Sequence, residues 1–266
     1  MMENKVVTKK VLERAGISVP GGYEYTSPEA GMADYRMYAG KPVVIKPKST
    51  NFGLGITILK HNYDETDFKA ALQIAFEHDN TVLIEKFIPG REFRIFIIND
   101  EVVGILHRVP ANVTGDGVLN IGQLIDRKNE DPLRGKGYRT PLEKIRKGRE
   151  EEMFLKQQGM DFNTVPKEGE VVYLRENSNI STGGDSIDFT DDIDDSYKAI
   201  AVEAAKALNV KITGLDMMIQ DIHAPATPDN YAIIEMNFNP AIHIHCYPFK
   251  GKNRHLNHKM IRALGF

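Results

Sequence analysis

The chain has 266 residues, with 34 Lys and Arg against 37 Asp and Glu, a formal charge of -3, 41% apolar residues, one cysteine and no tryptophan. A chain this long buries roughly three quarters of its unfolded surface, so it needs neither disulfides nor a structural metal to make a core. The lone cysteine supplies no thiolate cage, no basic excess exists to displace counterions along a nucleic acid, and no apolar run approaches the roughly 20 residues of a membrane helix.

The opening segment reads as a helix with Val7, Val11 and Leu12 on one stripe, ended by Gly16 and Pro20. Its charged start carries no apolar signal segment, and a cytoplasmic protein without nucleic-acid or membrane partners is expected. Short apolar runs predict strands over 42–46 and 56–59, helical spacing over 66–78 places Phe68, Leu72, Ala75 and Phe76 on one face, and strands follow over 82–85 and 92–98. Asn99-Asp100 is a tight-turn signal leading to a strand over 102–107, which makes a hairpin. Residues 110–169 are polar and rich in Gly, Lys, Arg and Glu, with weak helical patterns near 118–129 and 141–157; an insertion of this kind reads as a mobile lid. A strand over 171–174, a helix over 196–208, two core strands over 212–219 and 231–236 and a closing helix over 255–264 complete the chain. Strands with helices in groups between them give an α+β class.

Four segments carry chemistry. Ser49-Thr-Asn-Phe-Gly-Leu-Gly55 lies between two strands just after Lys46. Gly53 and Gly55 permit close approach of backbone N–H groups to phosphate oxygens, Ser49, Thr50 and Asn51 add polar groups, and Lys46 at a strand end would neutralise phosphate charge. Taken alone, the segment is also an ordinary hairpin loop and Lys46 an edge lysine facing water. In the second segment, Glu85, Lys86, Phe87 and Ile88 offer backbone groups to a purine edge, and Glu92 could accept from ribose hydroxyls; a plain strand–turn–strand explains the same residues. The third joins Asp216, inside an apolar strand, to Glu235 and Asn237, which share a strand face. Two carboxylates and an amide are hard oxygen ligands suited to Mg²⁺ or Mn²⁺ bound with phosphate, and isolated carboxylates in core strands are otherwise costly. The fourth, Arg175-Glu-Asn-Ser-Asn-Ile-Ser-Thr-Gly-Gly184, follows a strand and can bind a carboxylate and steady developing negative charge.

Other features are weaker. Asp188, Asp191, Asp192, Asp194 and Asp195 lack the glycine and terminal glutamate of a calcium loop, and favour the start of the next helix. Alternation in a strand accounts for His243 and His245 beside Cys246. No nucleophile elbow, Walker loop or dinucleotide fingerprint occurs.

Taken in order, VVIKPKSTNFGLGI, VLIEKFIPGREFRIFI, GLDMM and IIEMNFNPA resemble the ATP-grasp ligases. The KPKSTNFGLGI loop and the ending AIHIHCYPFKGKNRHL are similar to the ATP-grasp domain of bifunctional glutamate–cysteine ligase/glutathione synthetases. RVPANVTGDGVLNIGQLIDRKNEDPLRGKGY and RENSNISTGGDSIDFTDDI echo the cyanophycin synthetases. The resemblance covers nearly the whole chain. It implies two α+β lobes with mostly antiparallel sheets holding ATP between them, a first lobe at about 22–88 and a second at about 89–266 with the polar lid at 110–169. It further implies that Lys5 and Lys46 contact nucleotide phosphates, that the 49–55 loop covers them, that 85–88 form the adenine hinge with Glu92 at the ribose, and that Asp216, Glu235 and Asn237 hold the metal. Many relatives carry an arginine two residues before the metal aspartate; here Gly214 stands there. Arg175 is the expected replacement, with Arg94 and Arg108 in reserve and Asn179, Ser181, Thr182, Gly183 and Gly184 at the substrate.

The implied activity is ATP-dependent, ADP-forming joining of a carboxylate to an amine through an acyl phosphate, most specifically γ-glutamylcysteine to glycine. A cyanophycin-synthetase-like ligase of amino acids and a nucleotide-binding module without turnover are the alternatives. Small-molecule or dipeptide substrates, a homodimer and a covalently linked glutamate–cysteine ligase domain preceding Met1 complete the expectations.

Overall fold

The computed structural model describes residues 4–50, 54–60 and 62–266, so Asn51 and Gly53 of the expected phosphate loop lie outside the described residues. The chain forms two compact units, Met1–Arg91 with Asp194–Asn239, and Glu92–Ile193 with Pro240–Phe266. The chain crosses between the units three times, at 91/92, 193/194 and 239/240, so in place of contiguous lobes at about 22–88 and 89–266, residues 194–239 cluster with the N-terminal stretch. The physical reason is that helix 5–14 packs on the helix and strand of that later segment.

In the first unit, α1 (Lys5–Arg14) is capped by Asn4, whose side-chain oxygen accepts from the Val6 and Val7 amides at 3.2 Å. Its inward face differs from the expected valine stripe. Thr8 and Leu12 are buried, whereas Val7 is 41% exposed. Strands β1 (Gly22–Tyr25), β2 (Val43–Pro47), β3 (Thr57–Leu59) and β4 (Val82–Lys86) form an antiparallel sheet in the order β1-β4-β2-β3. The helices α2 (Pro28–Ala33), α3 (Tyr35–Tyr38) and α4 (Glu65–Phe76) lie between them in sequence. Phe68, Ala71, Leu72 and Ala75 of α4 meet Val43, Ile45, Val82 and Ile84 of the sheet in one core, which is the 3.6-residue stripe of a helix laid on the period-2 face of strands. Asp64 and Asp67 form a capping box that starts α4.

In the second unit, β5 (Arg91–Ile98) and β6 (Glu101–Val109) form the expected hairpin. Its Asn99 and Asp100 both take positive φ, 46° and 66°, as a type I′ turn requires. The polar insertion at 110–169 carries regular structure, with helices at both of the weak patterns near 118–129 and 141–157. Here β7 (Asn112–Thr114), α5 (Ile121–Lys128), β8 (Arg134–Gly135), β9 (Leu142–Glu143), α6 (Arg149–Gln157) and β10 (Val171–Tyr173) surround a core of Val113, Ile121, Leu124, Ile125, Leu155, Val172 and their neighbours. These apolar residues are sparse along the sequence, and only the antiparallel closure of β7 on β10 gathers them. A turn of 3₁₀ helix over Ile180–Thr182 leads to β11 (Asp185–Asp188), which pairs antiparallel with β6.

The chain then returns to the first unit as α7 (Asp195–Ala207), β12 (Ile212–Ile219) and β13 (Tyr231–Asn237), the two strands pairing antiparallel. It ends in the second unit with α8 (His243–Cys246) and α9 (Leu256–Ala263). The 243–246 segment is thus a short helix rather than the strand that alternation suggested, and it buries His245 edge-on to Phe96 at 5.5 Å. The acidic run divides its work. Asp194 caps α7, accepting from Ser196 N–H at 2.9 Å, while Asp188 and Asp191 receive the guanidinium of Arg254 and fasten the C-terminal segment to β11. The α+β class holds, and no helix among the described residues is long and apolar enough to cross a membrane.

Candidate functional site

Two groups of the predicted residues assemble within the first unit. In the β12–β13 ladder Asp216 stands directly opposite Glu235 and Gly214 opposite Asn237. Since side chains alternate along a strand, Asp216, Glu235 and Asn237 leave the same face, as expected. A bulge follows at Asp216/Met217, which ends the regular register beside the carboxylates. Asp216 is 2% exposed, and the Nδ2 of Asn237 is buried with no partner among the described residues. A buried N–H donor left unpaired calls for an acceptor that arrives with a ligand, such as a phosphate oxygen. The two carboxylates and the amide oxygen on the same face are hard oxygen donors, which fit a divalent cation. Among the described residues no three His, Cys, Asp or Glu converge, so a cation here would take the amide and other oxygens to fill its shell.

The second group surrounds Glu85, which is 5% exposed at the end of β4. One of its oxygens is 2.8 Å from Lys46 Nζ and the other receives Lys9. Burial works to raise the Glu85 carboxyl, and the charges of Lys46 and Lys9 outweigh it, leaving the group below its usual range. Lys46 is neither a solvent-facing edge lysine nor an isolated cation; it leaves the non-core face of β2, where Val43 and Ile45 take the core face. The expectation for Glu85 as a hinge residue is thereby narrowed, because its carboxylate is already engaged by two ammonium groups. Lys86 and Phe87 donate their amides to Gly21 O at 2.8 Å and Pro42 O at 3.0 Å, so a purine edge cannot draw on those two donors.

Lys5 ties the first group to the 49–55 loop. Its Nζ donates to Thr50 O at 3.1 Å and lies 3.4 Å from Glu235 Oε1. Ser49 N–H donates to Asp79 Oδ2 at 2.6 Å, and the Thr50 hydroxyl donates to Leu54 O at 3.0 Å. The loop ends in Gly55 at φ 72°, where a Cβ would stand 2.7 Å from both His78 Cδ2 and Pro47 Cγ. A glycine is required there on conformational and steric grounds alike.

The second unit holds the remaining candidates. The β5–β6 register pairs Arg94 with Leu106, so Arg94, Glu92 and Arg108 share one sheet face, and Ser186 of β11 stands beside Arg108. Glu92 pairs with Arg108 and accepts from the Ser178 hydroxyl at 2.5 Å. Arg175 is held by α6 of the inserted segment, through Glu150 and through Glu151 at 2.6 Å. Asn179, Ser181, Thr182, Gly183 and Gly184 form one tight turn, closed by Thr182 Oγ1 donating to Asn177 Oδ1 at 2.8 Å. Gly183 has φ 93°, and a Cβ there would meet Ile145 Cα at 2.8 Å.

Sequence reasoning missed Lys9, although Lys5 and Lys9 are spaced one helical turn apart and that spacing puts both on one face. It also missed Asp185, a buried carboxylate shared by Arg134, Lys128 at 2.7 Å and Asn112 Nδ2 at 3.0 Å. Nothing local marks that cluster, whose members come from four separate elements.

Residues 2–127 match the RimK-like ATP-grasp domain family. The chain is 62% identical over 265 residues to the glutathione biosynthesis bifunctional protein GshAB of Desulfotalea psychrophila, covering 100% of this chain and 34% of that protein. A crystal structure of a bifunctional glutathione synthetase from Pasteurella multocida superposes with a TM-score of 0.73 at 48% identity, over 99% of this chain and 36% of that one. The D-alanine–D-alanine ligase of Bacillus anthracis shares the fold at 20% identity and a TM-score of 0.54, over 90% of this chain and 57% of that one. This chain spans about a third of the length of the curated relatives it matches.

Proposed function

We propose that this chain, an ATP-grasp domain, is an ADP-forming carboxylate–amine ligase that joins γ-glutamylcysteine to glycine. The observation that carries the reaction class is the single face on which β12 and β13 present Asp216, Glu235 and Asn237, with Lys5 tying Glu235 to the 49–55 loop. The substrates follow from likeness to relatives named for glutathione biosynthesis, at 62% identity across the whole chain.

The substrate carboxylate attacks the γ-phosphate of ATP, giving an acyl phosphate and ADP; the amine then displaces phosphate and forms the amide. Neither step needs a side-chain nucleophile, so the protein's contribution is positioning and electrostatic stabilisation. Asp216, Glu235 and Asn237 would hold Mg²⁺ or Mn²⁺, which when bound neutralises phosphate charge. Lys46, oriented by Glu85, and Lys5, anchored at Thr50 O, supply cations toward the phosphates. Arg94, Arg108 and Arg175, with the 179–184 turn, are the groups for the substrate carboxylate and the oxyanion. Excluding water protects the acyl phosphate from hydrolysis, a role suited to the 110–169 insertion. In the natural protein a linked glutamate–cysteine ligase domain would supply the γ-glutamylcysteine.

A phosphate-release screen of substrate pairs tests this reading. Release that depends jointly on ATP, γ-glutamylcysteine and glycine supports it. Turnover only with aspartate or arginine and an acidic peptide would replace it with a cyanophycin-type activity, and ATP binding with no productive pair would reduce it to a nucleotide-binding module.

A further inference from the structure

The α1 helix sets Lys5 and Lys9 one turn apart, and like charges at that spacing destabilise a helix on their own. Two carboxylates from other elements offset this cost: Glu235 of β13 lies 3.4 Å from Lys5 Nζ, and Glu85 of β4 receives Lys9. Glu85 also takes Lys46 on its other oxygen at 2.8 Å, and the Lys9, Glu85 and Lys46 side chains are only 12%, 6% and 13% exposed. Two buried ammonium groups thus share one carboxylate, and the set carries a net positive charge. With Lys9 neutral or absent, Glu85 would cancel Lys46.

We propose that Lys9 is a positioning residue for nucleotide binding: by occupying one oxygen of Glu85 it leaves Lys46 as an uncancelled cation for a phosphate, without touching the nucleotide itself. This rests on the reading of Lys46 as a phosphate-binding residue.

The groups that act on Lys9 are Glu85 of β4, Lys46 of β2 and Lys5 of its own helix. Tyr23 and Glu24 of β1 and Lys10 and Glu13 of α1 line the same crevice, a cavity of about 80 Å³. On α7, which also packs against α1, Lys198 and Lys206 pair with Asp195 and Glu203 of their own helix. Burial first, then the charge of Lys46, hold the Lys9 ammonium down to about 8 against the pull of Glu85. The net charge behind Lys46 therefore falls from positive to zero as the pH rises through that value.

The test is the Kd for MgATP of the full chain across this pH range, measured by calorimetry for the wild type, Lys9→Met and Lys9→Arg. The expected result is a wild-type Kd that rises roughly tenfold above about pH 8, the effect of one screened unit charge. Lys9→Met should bind weakly at every pH with a flat profile, and Lys9→Arg, always charged, should bind tightly without the rise. A Lys9→Met protein with the wild-type Kd and pH profile would overturn the proposal, as would a weakened Lys9→Met that keeps the pH-dependent rise. If Lys9→Arg does not fold, the Lys9→Met profile still decides. Wild-type MgATP binding without phosphate release from γ-glutamylcysteine and glycine would sink the ligase reading alone. Wild-type ligation with no effect of Lys9→Met would sink the role of Lys9 alone.

Discussion

Asp216 and Glu235 are direct partners across the β12–β13 ladder, so two carboxylates leave one sheet face side by side. Like charges placed directly opposite destabilise a sheet. Lys5, 3.4 Å from Glu235, relieves part of that repulsion, and a divalent cation would relieve more of it. Asp216→Asn and Glu235→Gln each remove one of the two facing charges, so both variants should still fold in the metal-free state. Both should abolish the rise in thermal midpoint on adding MgATP, and phosphate release should fall by a factor on the order of 10² or more. Unchanged phosphate release in both variants would sink the metal assignment.

Glu85→Gln removes the shared counter-charge of Lys9 and Lys46 and leaves two largely buried ammonium groups without it. Breaking a buried pair in this way costs about 3–5 kcal/mol, readable in urea unfolding at neutral pH. Because Glu85 is held below its reference value of 4.5 in the folded chain, its contribution is fully present above that pH and is lost as the pH falls through the folded value. The stability gap between wild type and variant should accordingly narrow in acid. A gap that stays constant below pH 4 to 5, roughly, would show that charge is not its origin.

Gly55→Ala places a β-carbon at φ 72° and within 2.7 Å of His78 and Pro47. The left-handed conformation alone costs about 1–2 kcal/mol for a side-chain residue. The loop that ends at Gly55 should shift, raising the KM for ATP several-fold while kcat changes less. Steady-state kinetics against ATP, read beside a thermal unfolding curve, checks both.

Asp185→Ala leaves Arg134, whose side chain is fully buried, and Lys128, 2.7 Å from the lost carboxylate, without their counter-charge and with only carbonyl and amide oxygens as acceptors among the described residues. The expected loss is about 3–5 kcal/mol. Limited proteolysis should then cut first within residues 110–174, the segment whose Asn112, Lys128 and Arg134 converge on Asp185. An undiminished unfolding midpoint would show that the cluster does not hold this segment in place.

What was legible in the sequence has identifiable physical sources. The β5–β6 hairpin announced itself because Asn99-Asp100 tolerates the positive φ of its turn, and α4 because its apolar residues recur at helical spacing. The metal candidates were legible because Asp216 and Glu235 interrupt apolar strands, where a carboxylate is expensive without a partner. Their sharing of a face needed only strand alternation for Glu235 and Asn237, but the pairing with Asp216 needed the register of two strands joined by a loop. On α1 the apolar stripe misled. The helix turns Lys5 and Lys9 toward carboxylates on other strands and leaves Val7 outward, a choice that hydrophobicity alone does not encode.

By itself the sequence determined the α+β class, most of the strands and helices, and which carboxylates, amide and lysines were singled out as candidates, since each depends on local periodicity, turn chemistry or the cost of a buried charge. Only the tertiary structure decided which charges meet. Lys9 and Lys46 come from different elements to the two oxygens of Glu85, Asp185 collects its partners from across a folded insertion, and Arg254 ties the C-terminal segment to Asp188 and Asp191. Ion pairing falls off over a few ångströms, and such distances between residues far apart in sequence exist only once the chain is packed.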